Sequence, residues 1–137
     1  MDRAKIEDAL RHALARLVPE QPGLAAVYLF GSVARGTPGL DSDVDVGVLL
    51  ECNPPRTLEG LGIDLADDLS RKLGQRVDLV VLNRAPVDLI KRVLRDGILL
   101  VDANPSRRIA FEVRARNEYW DLQPFLERYR RSGTGKP

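Results

Sequence analysis

Apolar residues along the chain occur in two patterns, one with a helical period and one with short continuous runs. Apolar positions three and four apart indicate amphipathic helices, whereas short apolar runs bounded by glycine or proline are typical of strands. The pattern predicts helices over 2–18, 57–73, 86–95 and 105–131. It predicts strands over 24–30, 44–50, 77–82 and 98–101. Pro124 is expected to bend or break the last helix, because proline lacks the backbone N–H that a helix needs.

The order of these elements predicts a mixed β-sheet of about four strands flanked by helices, in the α/β (α+β) class. Only residues 31–43 separate the first two strands, too few for a full helical crossover, so these strands are expected to be antiparallel neighbours. With 137 residues the chain has the size of one domain, expected over 1–131 with a flexible tail at 132–137.

Composition is that of a globular protein, with 44% hydrophobic and 30% charged residues, which excludes a disordered chain. No apolar run is long enough to cross a membrane, and charges of both signs at the N-terminus exclude a signal peptide. The single cysteine, Cys52, cannot form an internal disulfide, so we expect a cytoplasmic protein. A net charge of +1 does not by itself indicate a nucleic-acid binder, and no stacking motif accompanies the basic residues of 105–131, so direct nucleic-acid binding is not expected.

Aromatic residues are concentrated in the last predicted helix, where 105–131 holds five of the seven. One interpretation is that Phe111, Ala115, Leu122 and Leu126 pack on the core. The other is that this region is a partner surface, since aromatic and arginine side chains are enriched at interface hot spots. The sequence leaves both interpretations open.

Candidate chemistry begins where the first strand ends, at Gly31-Ser32. A glycine there allows a ligand to approach the backbone, and the serine adds a hydroxyl group, which together suit a phosphate. A Gly-Ser pair after a strand is more often an ordinary turn, so this feature gains meaning only from its neighbours.

Two carboxylates, Asp43 and Asp45, stand at the entry to the second strand. Their spacing places both on one face, and all-oxygen ligands there suit Mg²⁺ or Mn²⁺. Turn chemistry is the alternative. A calcium loop starting at Asp41 is excluded, because its sixth and twelfth positions would be Val46 and Cys52 instead of glycine and glutamate.

Asp78 is a third carboxylate, within the otherwise apolar strand 77–82. A buried carboxylate is costly unless it is paired or binds a metal. The alternatives are a salt bridge to Arg76 or Arg84, or simple exposure at the strand end. Three carboxylates from two strands beside a phosphate-holding turn indicate a metal site for displacement at phosphorus.

The Gly-Ser pair, the Asp-x-Asp pair ten residues later and the third aspartate together resemble the DNA polymerase beta nucleotidyltransferase superfamily. The Gly-Ser-x-Ala-Arg-Gly form, with Ser42 before Asp43, is similar to its minimal nucleotidyltransferases. Those are short proteins that often act as antitoxins of HEPN-domain ribonuclease toxins. The resemblance covers most of the chain and implies a polymerase beta-like nucleotidyltransferase fold.

The resemblance also implies a role for each residue. Gly31 and Ser32 would hold the triphosphate of a nucleotide, and Asp43 and Asp45 would bind the divalent ions. Asp78 would complete the metal site and help to remove a proton from the attacking hydroxyl group. Arg35 would contact the triphosphate, although a surface salt bridge is the simpler interpretation.

The function that the resemblance implies is AMP transfer from ATP, with Mg²⁺ or Mn²⁺, to a hydroxyl of a HEPN toxin in a hetero-oligomer. A tyrosine is the expected acceptor, because its pKa of about 10 is the lowest among hydroxyl side chains. Two alternatives stay open at this stage. One is an antitoxin that acts by complex formation alone, and the other is a nucleotidyltransferase for small molecules.

Overall fold

Within residues 3–20, 23–36, 43–51 and 59–132, which the structure, a computed structural model, describes, the chain forms five α-helices and four β-strands. The side chains at 20, 59–64 and 119–132 are outside this description. The helices are α1 (Arg3–Leu17), α2 (Gly31–Arg35), α3 (Glu59–Leu73), α4 (Val87–Asp96) and α5 (Pro105–Ser132). The strands are β1 (Leu24–Phe30), β2 (Val44–Leu50), β3 (Val77–Val81) and β4 (Ile98–Asp102). The predicted order of the strands and of the four longer helices is therefore confirmed, but the pattern did not predict the short helix α2 between the first two strands.

Several predicted boundaries differ by a residue or more. The third strand ends at Val81, because residues Leu82–Arg84 form a 3₁₀ turn. Pro86 is the residue before α4 and not part of its first turn, since its backbone is extended. Three predicted features lie outside the described residues. They are Cys52, the start at 57–58 of the helix predicted over 57–73, and residues 133–137 of the predicted tail.

The sheet has the strand order β3-β2-β1-β4. The first strand is antiparallel to both neighbours, β2 and β4, as predicted for the first pair. The third strand runs parallel to β2. In this arrangement the end of β1 lies at the same edge of the sheet as the beginnings of the other three strands. A mixed four-stranded sheet in an α/β fold is confirmed.

Two apolar clusters cover the two faces of the sheet. The alternation in β2 sends Val44, Val46 and Val48 into one cluster, with the buried faces of α1 and α3. Leu49 belongs to the other cluster, with residues of α4 and α5 such as Ile90. The period of two along a strand explains the division, because successive side chains point to opposite faces.

The last helix, α5, has 28 residues and continues through Pro124. The prediction of a break there is wrong, because one missing N–H donor leaves the remaining hydrogen bonds of a long helix in place. Phe111 and Ala115 are buried against the sheet, as one interpretation of this region requires. The predicted core positions Leu122 and Leu126 are outside the described side chains. No described helix, α5 included, is both long and apolar enough to cross a membrane.

A polar network fastens the first turns of α5 to the sheet. The Tyr28 hydroxyl of β1 donates a hydrogen bond of 2.7 Å to Glu112 Oε2. Arg108 donates to Asp102 Oδ1 at 2.8 Å and to Glu112 Oε2 at 3.2 Å. Burial, followed by the hydrogen bond to Glu112, raises the pKa of Tyr28. The hydroxyl therefore remains a protonated donor at neutral pH.

Candidate active site

Three strand ends bring the candidate residues to one edge of the sheet. In the antiparallel pair of β1 and β2, Phe30 is opposite Asp45. In the parallel pair of β2 and β3, Asp45 is beside Asp78. The turn at Gly31-Ser32 directly follows Phe30, so the backbone of that turn reaches the same edge. The topology thus gathers residues that are up to 47 positions apart in the sequence.

Gly31 is placed against the carboxylate of Asp45. Its φ of +80° lies in the left-handed region that side chains disfavour. A Cβ atom built on Gly31 would overlap Asp45 Oδ2 and would lie 3.1 Å from Cγ of that residue. Glycine is therefore required here for two reasons, its backbone conformation and the space that Asp45 occupies. Ser32 follows within the short helix α2 and is partly exposed.

The carboxylate of Asp45 lies in an environment that disfavours its charged form. It lies on the opposite face of β2 from the buried valines and is half-buried. Burial raises its pKa, and the negative charges of Asp78 and Asp43 raise it further. The Arg35 guanidinium acts in the opposite direction. The site thus concentrates negative charge that a bound cation would neutralise.

Asp43 precedes β2 and forms an ion pair with Arg76. Arg76 Nε lies 3.8 Å from Asp43 Oδ2, although the sequence analysis considered Arg76 as a partner of Asp78. The backbone explains this placement, because Val44 N donates a hydrogen bond of 3.0 Å to the carbonyl oxygen of Arg76. The residue before β3 thereby lies beside the residue before β2. Knowledge of the parallel pairing would have been needed to find this contact.

Asp78 is exposed, which confirms the alternative of simple exposure at the strand end and not a carboxylate buried in an apolar strand. It is the second residue of β3, which is an outermost strand in the described sheet and pairs there with β2. A carboxylate at this position remains hydrated, and no burial penalty forces it to bind a metal or an arginine. Its place beside Asp45 nevertheless follows directly from the strand register.

Arg35, the last residue of α2, has an exposed side chain. Its positive charge lowers the pKa of Asp96, after the larger effect of the Arg95 hydrogen bond. It also opposes the rise in the pKa of Asp45. The Arg35 charge therefore acts both on the carboxylate cluster of Asp43, Asp45 and Asp78, through Asp45, and on Asp96 at the end of α4. The sequence alone does not place Asp96 near the site, because only the packing of α2 on α4 brings Asp96 close to Arg35.

The donor chemistry of the three aspartates fits a hard divalent cation such as Mg²⁺, which prefers carboxylate oxygens. Two are adjacent in register, and their mutual repulsion is visible in the raised pKa of Asp45. Among the described side chains, however, no three acidic, histidine or cysteine groups are gathered closely enough to hold a metal ion. The ligand types are in place, but the carboxylates do not converge in this structure. Asp41 and Ser42 are outside the described residues.

Comparisons with known proteins show what this chain is similar to. A family model described as "Polymerase beta, Nucleotidyltransferase" matches residues 12–106, which include all the candidate site residues. The protein adenylyltransferase MntA of Shewanella oneidensis is 34% identical over 103 residues, which are 74% of this chain and 70% of that protein.

Two solved structures show the same architecture. One is a toxin–antitoxin complex with AMP-PNP, of which one chain has 29% identity and a TM-score of 0.71, covering 85% of this chain and 92% of that chain. The other contains the tri-AMPylated Shewanella oneidensis HEPN toxin in complex with its MNT antitoxin. There the identity is 26% and the TM-score 0.66, covering 91% of this chain and 92% of that chain.

Proposed function

The chain belongs to the polymerase beta nucleotidyltransferase family, and from this we propose that it transfers AMP from ATP to a hydroxyl group of a HEPN-domain toxin. The name of the Shewanella relative, a protein adenylyltransferase, supports AMP as the transferred group. The tri-AMPylated toxin in the second structural neighbour supports a HEPN protein as the acceptor. The AMP-PNP of the first neighbour supports an adenine nucleoside triphosphate as the donor.

One observation carries the proposal, namely the contact between the Gly31 backbone and the Asp45 carboxylate, with Asp78 adjacent in register. A nucleotidyltransferase needs a place for phosphate oxygens directly beside carboxylates that bind the neutralising cation. With no side chain at Gly31, the Asp45 carboxylate lies directly against the turn whose backbone would hold the phosphates, so the cation ligand and the phosphate-binding backbone are adjacent.

In this proposal the turn after β1 holds the triphosphate. The Ser32 hydroxyl donates a hydrogen bond to a phosphate oxygen. Arg35, exposed and free of burial costs, adds a positive charge on the side of Asp45. Both residues act in binding and orientation, so their loss should weaken ATP binding more than it slows the transfer itself.

Asp43, Asp45 and Asp78 are the residues that would hold Mg²⁺ or Mn²⁺. Such a cation supplies charge neutralisation at the phosphates when it is bound. The acceptor oxygen forms a bond to the α-phosphorus, while the bond from that phosphorus to the bridging oxygen of the β-phosphate breaks and pyrophosphate leaves. The exposed Asp78 carboxylate receives the proton of the acceptor hydroxyl and passes it to water.

The acceptor is proposed to be a tyrosine on the toxin. The helix α5 is proposed to form part of the surface that binds the toxin. Among the described side chains of α5, two large apolar residues are unusually exposed, Ile109 at 51% and Val113 at 49%. They are four positions apart and therefore lie on one face of the helix. A partner that covers this face would remove apolar surface from water.

Co-expression with the HEPN toxin, followed by intact-mass measurement of the toxin, tests the proposal. The toxin should gain one or more AMP units with the wild-type chain and none with Asp43→Asn or Asp45→Asn. Asp67→Asn is the matched control, because it alters an exposed carboxylate on α3, which packs on the opposite face of the sheet from Asp45. This variant should modify the toxin as the wild type does.

Two results would contradict the proposal. A toxin that stays unmodified yet is neutralised indicates inhibition by complex formation alone. Modification that persists in Asp45→Asn places the chemistry at a different site.

A further inference from the structure

The pairing of β2 with β3 places Arg76 beside the carboxylate cluster. Its carbonyl oxygen accepts the hydrogen bond from the backbone N–H of Val44, the residue between Asp43 and Asp45. Its side chain, 82% exposed, has its Nε 3.8 Å from Asp43 Oδ2. The backbone bond thus anchors the residue, while the solvent-exposed guanidinium can leave at little cost.

In the proposed function, the Asp43 carboxylate that pairs with Arg76 also binds a divalent cation. A guanidinium and a metal ion are both positive, so they repel each other when they share one carboxylate. The Asp43 side chain is 42% exposed, which leaves a cation free access from solvent. Binding of the cation to Asp43 therefore favours movement of the arginine away from that carboxylate.

We propose that Arg76 is a positioning residue that holds Asp43 while no metal is bound and is displaced when a divalent cation binds. The inference rests on the proposed function, since it takes Asp43 to be a metal ligand. The arginine offsets part of the repulsion among Asp43, Asp45 and Asp78 in the metal-free protein. It also lowers the affinity for the metal by the strength of the ion pair that must be broken.

Titration of the full chain with Mn²⁺ in the absence of nucleotide, by calorimetry or by electron paramagnetic resonance, measures this competition. Arg76→Gln should bind Mn²⁺ about two- to fivefold more tightly, as expected for the loss of an exposed ion pair. Arg76→Lys keeps the charge and should stay close to wild type. Arg114→Gln is the matched control, because Arg114 is 83% exposed and is paired with Glu118 at 3.1 Å. Its Mn²⁺ affinity should equal that of the wild type.

Thermal unfolding gives an independent measure that does not depend on activity. Without metal, Arg76→Gln should melt at a lower temperature than wild type, because the carboxylates lose a counterion. With saturating Mn²⁺ this difference should shrink or disappear, since the cation then neutralises the cluster.

Three outcomes would overturn the inference. They are an unchanged Mn²⁺ affinity in Arg76→Gln, a weaker affinity in that variant, or a wild-type chain that binds no Mn²⁺ without nucleotide. Transfer of AMP to the toxin is measured separately. Normal transfer together with an unchanged Mn²⁺ affinity would refute the role of Arg76 and leave the proposed function intact.

Discussion

Gly31→Ala should destabilise the protein through two separable effects. The first is conformational, because a φ of +80° costs a residue with a side chain about 1–2 kcal/mol. The second is steric, because the new Cβ would overlap Asp45 Oδ2. Rotating that carboxylate away from a preferred rotamer costs about 0.5–1.5 kcal/mol. Together the two effects should lower the free energy of unfolding by about 2–3 kcal/mol.

Gly36→Ala separates these effects. Gly36 has nearly the same φ, +78°, but no atom of the described residues lies within 4 Å of the position of its Cβ. It should lose only the conformational part, and both variants gain the same small entropic stabilisation from the less flexible unfolded chain. Urea unfolding at pH 7 should therefore show Gly31→Ala to be less stable than Gly36→Ala by about 1 kcal/mol. AMP transfer should be lost in Gly31→Ala and retained in Gly36→Ala.

The Asp45→Ala background identifies the contact responsible. When the carboxylate is absent, Gly31→Ala should cost no more than Gly36→Ala does, because only the conformational effect remains. Equal costs for the two glycine substitutions in the otherwise wild-type chain would refute this reasoning. Normal transfer by Gly31→Ala would refute the role of the close approach between the Gly31 backbone and Asp45.

Three further substitutions test other parts of the structure. Because the pKa of Asp45 is raised in the folded protein, the protonated form contributes stability that is full below about pH 4 and is lost as the pH rises through the folded-state pKa. Asp45→Asn should therefore raise the melting temperature of the metal-free chain at pH 7 but not at pH 3.5, and a lower value at pH 7 would contradict this. Tyr28→Phe removes the hydrogen bond to Glu112 and should lower the free energy of unfolding in urea by about 1.5–3 kcal/mol. Arg11→Met removes the guanidinium that donates at 3.2 Å to the Leu100 carbonyl of the edge strand β4, so amide hydrogen exchange in β4 should accelerate while that in β2 stays unchanged.

Local patterns in the sequence were sufficient to locate the elements of this fold, apart from the short helix α2. The alternation of Val44, Val46 and Val48 predicts a strand with one buried face, and the structure buries all three. The short connection of residues 31–43 predicts that β1 and β2 are antiparallel, which the register confirms. These predictions succeed because side-chain period and connection length depend on residues close together in the chain. The glycine at position 31 and the aspartates at 43 and 45 are equally local features, so they could be recognised as candidates without a structure.

Only the tertiary structure decided which distant residues meet at the site. The parallel pairing of β2 with β3 places Asp78 beside Asp45 and Arg76 beside Asp43. The position of β3 at the edge of the sheet leaves Asp78 exposed, an outcome that the sequence left open beside burial. Strand order and edge position depend on how all the elements pack together, and no short stretch of sequence contains that information. The chemistry of each side chain was therefore readable from the sequence, but its partners were set by the sheet.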